Sequence, residues 1–248
     1  MTEADAKTAP ALSIVVPAYN EAAYLPHLLD SIDEARRRYR GGGDSIEIVV
    51  ANNMSTDGTA AVARSRGCIV VDVQKRAIAA ARNGGAAVAT GEILCFVDAD
   101  LRVHPDTFNA IADCMQTGKY VGGAGGWVLE RSSLGLAVTT LIVRSLTWLA
   151  RVNGGVVFCR ADVFRAIGGY NENRRFAEDV EFFLAMRKAA KERRLKTLWS
   201  TRTPAVVSTR KFDRRGDWHM LAMGFWVLRH RSVDKMVDDY WYDEDKRF

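Results

Sequence analysis

Asp98-Ala99-Asp100 sets two carboxylates two residues apart, directly after the apolar run Ile93-Leu94-Cys95-Phe96-Val97. Carboxylates so spaced, at the polar end of a strand, suit a hard divalent cation such as Mn or Mg, with diphosphate oxygens completing its shell. Such an ion acts as a Lewis acid and neutralises charge on a departing diphosphate. The pattern alone also serves as a turn or a helix cap, so its place after an apolar strand carries the reading. A second acidic pair, Glu178-Asp179, precedes Val180, Phe182, Phe183 and Leu184. It stands at the mouth of a helix, where acids are also favoured by the helix dipole. Tyr19-Asn20-Glu21 and Asn52-Asn53 follow apolar runs in the same way. Near the end, the run from Arg210 to His219 includes Lys211, Arg214 and Arg215 beside Gly216. That composition suits a loop closing over a diphosphate.

The segments around these clusters read as alternating strands and helices. Ser13 to Val16 is a short β-branched run stopped by Pro17. From Glu21 a helical face follows, through Leu25, Leu28, Leu29, Ile32 and Ala35, with Pro26 early enough to be tolerated. Gly41 to Asp44 break it, and Ile46 to Val50 make a second strand. Ser55-Thr56-Asp57-Gly58-Thr59 is rich in capping side chains and starts a helix. Ile69 to Val73 is a third strand, Ala77 to Ala89 a helix, and Ile93 to Val97 a fourth strand. This alternation predicts an α/β fold with a mostly parallel, Rossmann-like sheet and helices on both faces. Ligands of such sheets bind beyond the carboxyl ends of the strands, so the polar clusters are expected to meet in one crevice.

A chain of 248 residues, 48% hydrophobic and without a linker, is expected to form one domain over residues 12–248 after a loose tail, 1–11. The four cysteines make no CxxC pair, which points to buried free thiols in a reducing compartment. The first ten residues lack the apolar stretch of a signal peptide. A net charge of +5 suits an anionic substrate or membrane, and no nucleic-acid-binding motif is present. Leu134 to Ala150 carries a polar stripe (Thr140, Arg144, Thr147, then Arg151) and reads as an amphipathic helix, not a membrane span. Residues 219–248 form a C-terminal amphipathic segment, with the apolar run Met220 to Leu228 leading into Arg229, His230 and Arg231. The expected location is cytoplasmic, with peripheral contact at the inner face of the membrane as an option.

In chain order, five segments resemble the successive motifs of the family-2 glycosyltransferases. They are Val15-Val16-Pro17-Ala18-Tyr19-Asn20-Glu21, the run from Asn52 to Thr59, Ala81-Arg82-Asn83-x-Gly85, Asp98-Ala99-Asp100, and Gly168-Gly169-Tyr170 with Glu178-Asp179. The resemblance covers about residues 12–218. It implies a GT-A fold, with a nucleotide-binding half near 12–100 and an acceptor-side half near 101–218. It also implies an inverting, metal-assisted transfer of one sugar from a nucleotide-diphosphate donor to an acceptor hydroxyl. The acceptor would be a glycan, a lipid-linked group or a small molecule, in bacterial envelope glycan or glycolipid synthesis. By the same resemblance, Pro17, Ala18, Tyr19 and Glu21 line the nucleotide pocket, with Tyr19 near the base or ribose. Asp57 caps its helix and faces the pocket, while Arg76 and Arg82 reach the diphosphate or base as planar, multi-donor cations.

Asp98 and Ala99 meet the donor, and Asp100 with Asp98 holds the metal. His219 resembles a third metal ligand, with His104 as its competitor, and Arg214 and Arg215 belong to the loop over the diphosphate. Asp179 is implied as the general base and Glu178 as the group orienting the acceptor. Asn52 and Asn53 stand where the family often has aspartate. A carboxylate can accept the uracil imide proton, whereas asparagine both donates and accepts, which counts against uridine and leaves guanosine or thymidine donors open. The glutamine-x-x-arginine-tryptophan motif of processive synthases is missing, which favours transfer of a single sugar. A nucleotidyltransferase would need a glycine-rich basic loop after the first strand, and a dinucleotide oxidoreductase would need GxGxxG there. A non-catalytic sugar-nucleotide binding module would have no use for both acidic pairs.

Overall fold

β1 (Leu12–Ala18) is buried along its whole length, as a β-branched run covered on both faces must be. In the computed structural model, which describes residues 10–174 and 177–219, it is an inner strand of a seven-stranded sheet. After α1 (Leu25–Arg38) the chain enters β2 (Ile46–Asn52), which pairs with β1 in parallel from Leu12–Ile46 to Ala18–Asn52. α2 (Thr59–Ser65) leads to β3 (Ile69–Asp72), parallel to β2, and α3 (Ile78–Val88) leads to β4 (Ile93–Phe96), parallel to β1. The side chains of β1 alternate between two cores. Leu12, Ile14 and Val16 pack with Leu25, Leu28, Leu29 and Ile32 of α1, and Val15 packs on the α3 side. Gly85 lets α3 lie that close, because a Cβ there would come within 2.5 Å of Val15 Cγ1.

The second half departs from a purely parallel plan. β5 (Leu101–Arg102) and α4 (Thr107–Gln116) precede β6 (Tyr120–Ala124) and β7 (Trp127–Leu129). α5 (Leu134–Ala150) follows, then β8 (Val157–Arg160), antiparallel to both β4 and β6. α6 (Ala161–Ala166) and α7 (Glu178–Glu192) lead to β9 (Lys196–Leu198), parallel to β6 at the sheet edge. β10 (Ala205–Val207) joins β5 and β7 in a small second sheet, and α8 (Arg210–Arg215) follows it. The mostly parallel sheet with helices on both faces is therefore present, and β8 is its antiparallel member.

α5 has the expected bounds, and its polar stripe is divided. Thr140 and Thr147 are half-buried, while Arg144 and Arg151 are exposed, Arg144 donating to the Trp127 carbonyl at 2.9 Å. Leu136 and Thr139 face inward, and much of the apolar side faces out. No helix among the described residues is long and apolar enough to cross a membrane. Cys68, Cys95 and Cys159 are buried and Cys114 is half-buried, all as free thiols. Burial pushes the Cys68 and Cys114 thiols up to about 11, so they pack as small apolar groups. Most of the loose tail and residues 220–248, with the Met220–Leu228 run, lie outside the described residues.

Candidate active site

The loops after β1 and β2 are tied to each other by side chains. Asn20, in the left-handed region at φ 51°, accepts from the Thr56 amide at 2.8 Å, and its own amide donates to Ser55 Oγ at 3.1 Å. The Glu21 amide donates to Thr59 Oγ1 at 2.8 Å. Asp57 accepts from the Thr59 amide at the start of α2 and from the Ala22 amide across the gap. Desolvation alone would raise its carboxyl, but those hydrogen bonds hold it below the usual range. Asp57 thus braces the loop one residue before the α2 N-cap, Gly58, with both oxygens bonded to the scaffold.

The two asparagines have structural tasks as well. Asn52 donates to Asp72 Oδ1 at 2.7 Å. Asn53 Nδ2 donates to the carbonyls of Val73 and Lys75, at 3.0 and 2.7 Å. An aspartate at position 53 has no hydrogen to give either carbonyl, which accounts for the departure from the family's usual residue. Pro17 pairs in register with Ala51, and the Ala18 carbonyl accepts from the Asn53 amide at 2.8 Å. At the rim, Arg76 lies 4.8 Å over the Tyr19 ring and donates to its hydroxyl at 3.2 Å.

Arg82 organises the acidic side. It is only 5% exposed, in the first half of α3. One terminal nitrogen donates to Asp179 at 2.6 Å and to Glu178 at 3.1 Å, and the other donates to Asp98 at 3.0 Å. Its guanidinium also lies 5.0 Å over the ring of Tyr170. The two acidic pairs, distant in sequence, thereby meet at one buried cation. Here the guanidinium expected at the diphosphate or base binds three carboxylates. Asn83, which sequence reasoning left without a role, completes the junction. It accepts from the Tyr170 amide and donates to the Tyr170 carbonyl, both at 2.9 Å. Gly169 makes room for this grip at φ 71°, since a Cβ would sit 2.6 Å from Asn83 Oδ1. Beneath, Tyr170 stacks on Phe182 at 4.2 Å, within a cluster completed by Phe96 and Phe164.

Glu178 and Asp179 open α7, the positive end of its dipole. Desolvation in the crevice pushes the Asp179 carboxyl up to about 6; Arg82 opposes the rise, and Glu178 and Asp98 reinforce it. The side chain is nevertheless 46% exposed, so an incoming group can reach it. On the other side, Arg210 of α8 grips Glu21 through both terminal nitrogens, at 2.7 and 2.5 Å, and lies 3.2 Å from Asp100. Burial pushes the neighbouring Lys211 ammonium down to about 8, against the pull of Asp100. On this side of the crevice, Arg210 and Lys211 lie beside the acids. Arg214 and Arg215 stand in the last turn of α8, the former exposed and the latter half-buried.

Among the described residues, no group of three or more His, Cys, Asp or Glu side chains is arranged to hold a metal. His219 does not complete a cage with Asp98 and Asp100, and burial beside Arg215 holds its imidazole below the usual value. His104 accepts from the Asp106 amide at 3.1 Å, a local turn bond. Ala99 is buried in the core, so only its backbone can face a ligand. Asp98 and Asp100 nonetheless fit a hard cation in their chemistry. Both are carboxylates in one loop, and Mg-type sites commonly combine one or two carboxylates with substrate phosphates.

Parallel strands whose terminal loops gather acids and cations in this order define the GT-A glycosyltransferase fold. The same fold is found in TarS of S. aureus in complex with UDP-GlcNAc (TM-score 0.61, 21% identity, 80% of this chain and 58% of that one). It is found too in the mannosyltransferase PcManGT of Pyrobaculum calidifontis in complex with GDP-Man and Mn2+ (TM-score 0.61, 18% identity, 94% and 68%). Residues 13–236 match the family described as Glycosyl transferase family 2, and the chain belongs to that family. Among curated relatives, the validoxylamine A glucosyltransferase of Streptomyces hygroscopicus subsp. jinggangensis is 33% identical over 109 residues, 41% of this chain and 25% of that protein. The 4,4'-diaponeurosporenoate glycosyltransferase of Staphylococcus aureus is 44% identical over 63 residues, 25% of this chain and 15% of that protein. The chain thus spans a quarter or less of the length of these two relatives.

Proposed function

We propose that the protein is an inverting glycosyltransferase that moves one sugar from a nucleotide-diphosphate donor to an acceptor hydroxyl. The observation that carries this reading is the convergence of Asp98, Glu178 and Asp179 on Arg82, at the mouth of loops tied together by Asn20, Asp57 and Asn53. Asp179, pushed up to about 6, is largely ionised at neutral pH yet basic enough to take the acceptor hydroxyl proton. Arg82 holds that carboxylate in place, and Glu178 beside it orients the acceptor. Tyr19 and Arg76 at the rim offer an aromatic face and a cation to the base and diphosphate, and Glu21 is set by Arg210 at the pocket wall.

Asp98 and Asp100 would hold an Mn or Mg ion, which supplies charge neutralisation to the departing diphosphate. Arg210 keeps its two-pronged hold on Glu21 whether or not it touches Asp100, so Asp100 is the carboxylate more readily released to a ligand. The bound ligands of TarS and PcManGT, UDP-GlcNAc and GDP-Man, support a nucleotide-sugar donor and leave the base open. A panel of nucleotide sugars, screened for metal-dependent thermal stabilisation and then for donor hydrolysis, tests the reading. Stabilisation by one donor with hydrolysis supports it. Binding without turnover in any acceptor mixture would make the chain a sugar-nucleotide binding module.

A further inference from the structure

The outward side of α5 is the largest apolar feature that the proposed activity does not use. Leu141 is 68% exposed, Leu146 61%, Trp148 66% and Leu149 71%, and Leu134 and Ile142 extend the same side toward the helix start. The helix is about 25 Å long and presents this side as one continuous strip. Monomeric soluble proteins rarely leave so much contiguous apolar surface in water. Its inward side is already committed, through the buried Leu136 and Thr139. The strip cannot turn inward without breaking those contacts.

The charge around the strip selects its partner. From Arg131 to Ala161 the sequence contains four arginines and no carboxylate. Arg144 flanks the strip beside Trp148, and Arg151 caps the helix in the left-handed region at φ 52°. Arg187 of α7 donates to the carbonyls of Ala150 and Arg151, adding a cation at that end. A cleft of about 670 Å³ runs beside the helix, where Trp127, Trp148 and Trp199 meet Arg144 and Arg202. Indole rings and guanidinium groups at the edge of an aliphatic strip are the chemistry of a helix lying in the interface of an anionic bilayer. A second copy is a poorer occupant. Two such faces would set arginine against arginine, with no carboxylate on either helix to offset them.

We infer that α5 docks flat on an anionic lipid bilayer, its apolar strip entering the headgroup boundary and Arg144 and Arg202 meeting lipid phosphates. This goes beyond the proposed transfer reaction and does not depend on it. Arg131, just before α5, pairs with Asp213 of α8 and with Asp217, so the docked helix adjoins the segment that carries Arg210 and Lys211 to the acids.

The test is flotation of the full chain with vesicles of phosphatidylcholine alone and with added phosphatidylglycerol, together with donor hydrolysis in lipid-free solution. The wild type is expected to bind the anionic vesicles and to release with salt. Leu146→Glu with Leu149→Glu should weaken binding by about tenfold or more, while the melting temperature and donor hydrolysis stay put. Arg144→Gln with Arg202→Gln should reduce the preference for anionic lipid by about fivefold per arginine. In the unmodified fold, brominated lipid should quench fluorescence that Trp148→Phe removes, a readout that needs no destabilising change. The inference is overturned if the wild type ignores anionic vesicles or if the double glutamate variant binds normally. It is equally overturned if Arg229→Glu with Arg231→Glu abolishes binding that the α5 variant keeps. A wild-type dimer that the glutamates make monomeric, without lipid binding, would assign the strip to a second copy and overturn it too.

Discussion

Replacing Asp179 with asparagine keeps the side-chain shape and one hydrogen-bonding oxygen while removing the charge that takes the proton. Arg82 would still be held by Glu178 at 3.1 Å and Asp98 at 3.0 Å, so the junction should stay assembled. Turnover should fall by about two orders of magnitude or more, the ordinary contribution of a positioned base, while donor affinity barely moves. The wild-type rate should fall as pH drops through about 6, where the carboxylate gains its proton, and that acid limb should vanish from the residual rate of the variant. Stability gives an independent sign. A folded carboxyl raised to about 6 binds protons more tightly than the unfolded one near 3.8. Its charge therefore costs stability, fully above about 6 and not at all below the unfolded value. A rise of two units corresponds to about 3 kcal/mol for a fully buried group, and solvent access to nearly half the side chain reduces it to about 1 kcal/mol. The asparagine variant should thus melt no lower than the wild type at neutral pH, and the difference should close toward pH 4. Full turnover in Asp179→Asn, together with a dead Glu178→Gln, would refute the assignment and pass the base role to Glu178. Full turnover in both would place the base elsewhere.

Asp100→Asn should abolish the part of donor binding that depends on Mn, read by calorimetry with and without the ion. Unchanged affinity in the presence of Mn would remove Asp98-Ala99-Asp100 from the metal site. Arg82→Gln strips the shared partner from three carboxylates, so it should cost roughly 3 kcal/mol in chemical unfolding. It should also move the acid limb above 6, because Arg82 is what holds the Asp179 carboxyl down. A limb that stays in place would show that Arg82 does not touch the base in solution. Asn53→Asp loses two buried donations to carbonyls and should cost about 1–3 kcal/mol, read as a lower melting temperature.

The parallel core was legible because its strands are continuous β-branched runs buried on both faces, a pattern that survives without any neighbour in view. β1, β2 and β4 lie within two residues of their expected bounds. The small sheet was not legible: β5 has two residues and β7 and β10 three each, too short for periodicity to register. Nor was the direction of β8, which is set by its pairing with β4 and β6. For α5 the periodicity and the bounds were legible. That its apolar side is left largely exposed, while Arg144 reaches a carbonyl and an indole of β7, depends on the neighbouring sheet and was not.

The acids of the site could be located from sequence because each pair follows or opens a regular element; what joins them could not. Arg82 lies 16 residues from Asp98 and 97 from Asp179, and no local pattern links those separations. Asn83 and Gly169 are a reciprocal fit of one side chain to one turn, visible only once α3 and the segment before α7 are adjacent. The basic cluster from Arg210 to His219 showed that cations approach, and the structure adds that Arg210 and Lys211 stand beside Glu21 and Asp100. In α8, Arg210 lies 3.2 Å from Asp100, and Lys211 feels the same carboxylate. The charges of the described site can be set against one another. Asp98, Asp100, Glu21, Glu178 and Asp179 bring five carboxylates, and Arg82, Arg210 and Lys211 bring three cations. The excess is two negative charges, and part of it is visible as the raised Asp179 carboxyl. Under the proposed metal-assisted transfer, one divalent ion would carry the charge that is missing, and a bound diphosphate alone would deepen the deficit. On this balance donor and cation should enter the crevice together, which is why nucleotide affinity in Asp100→Asn has to be measured at both metal conditions.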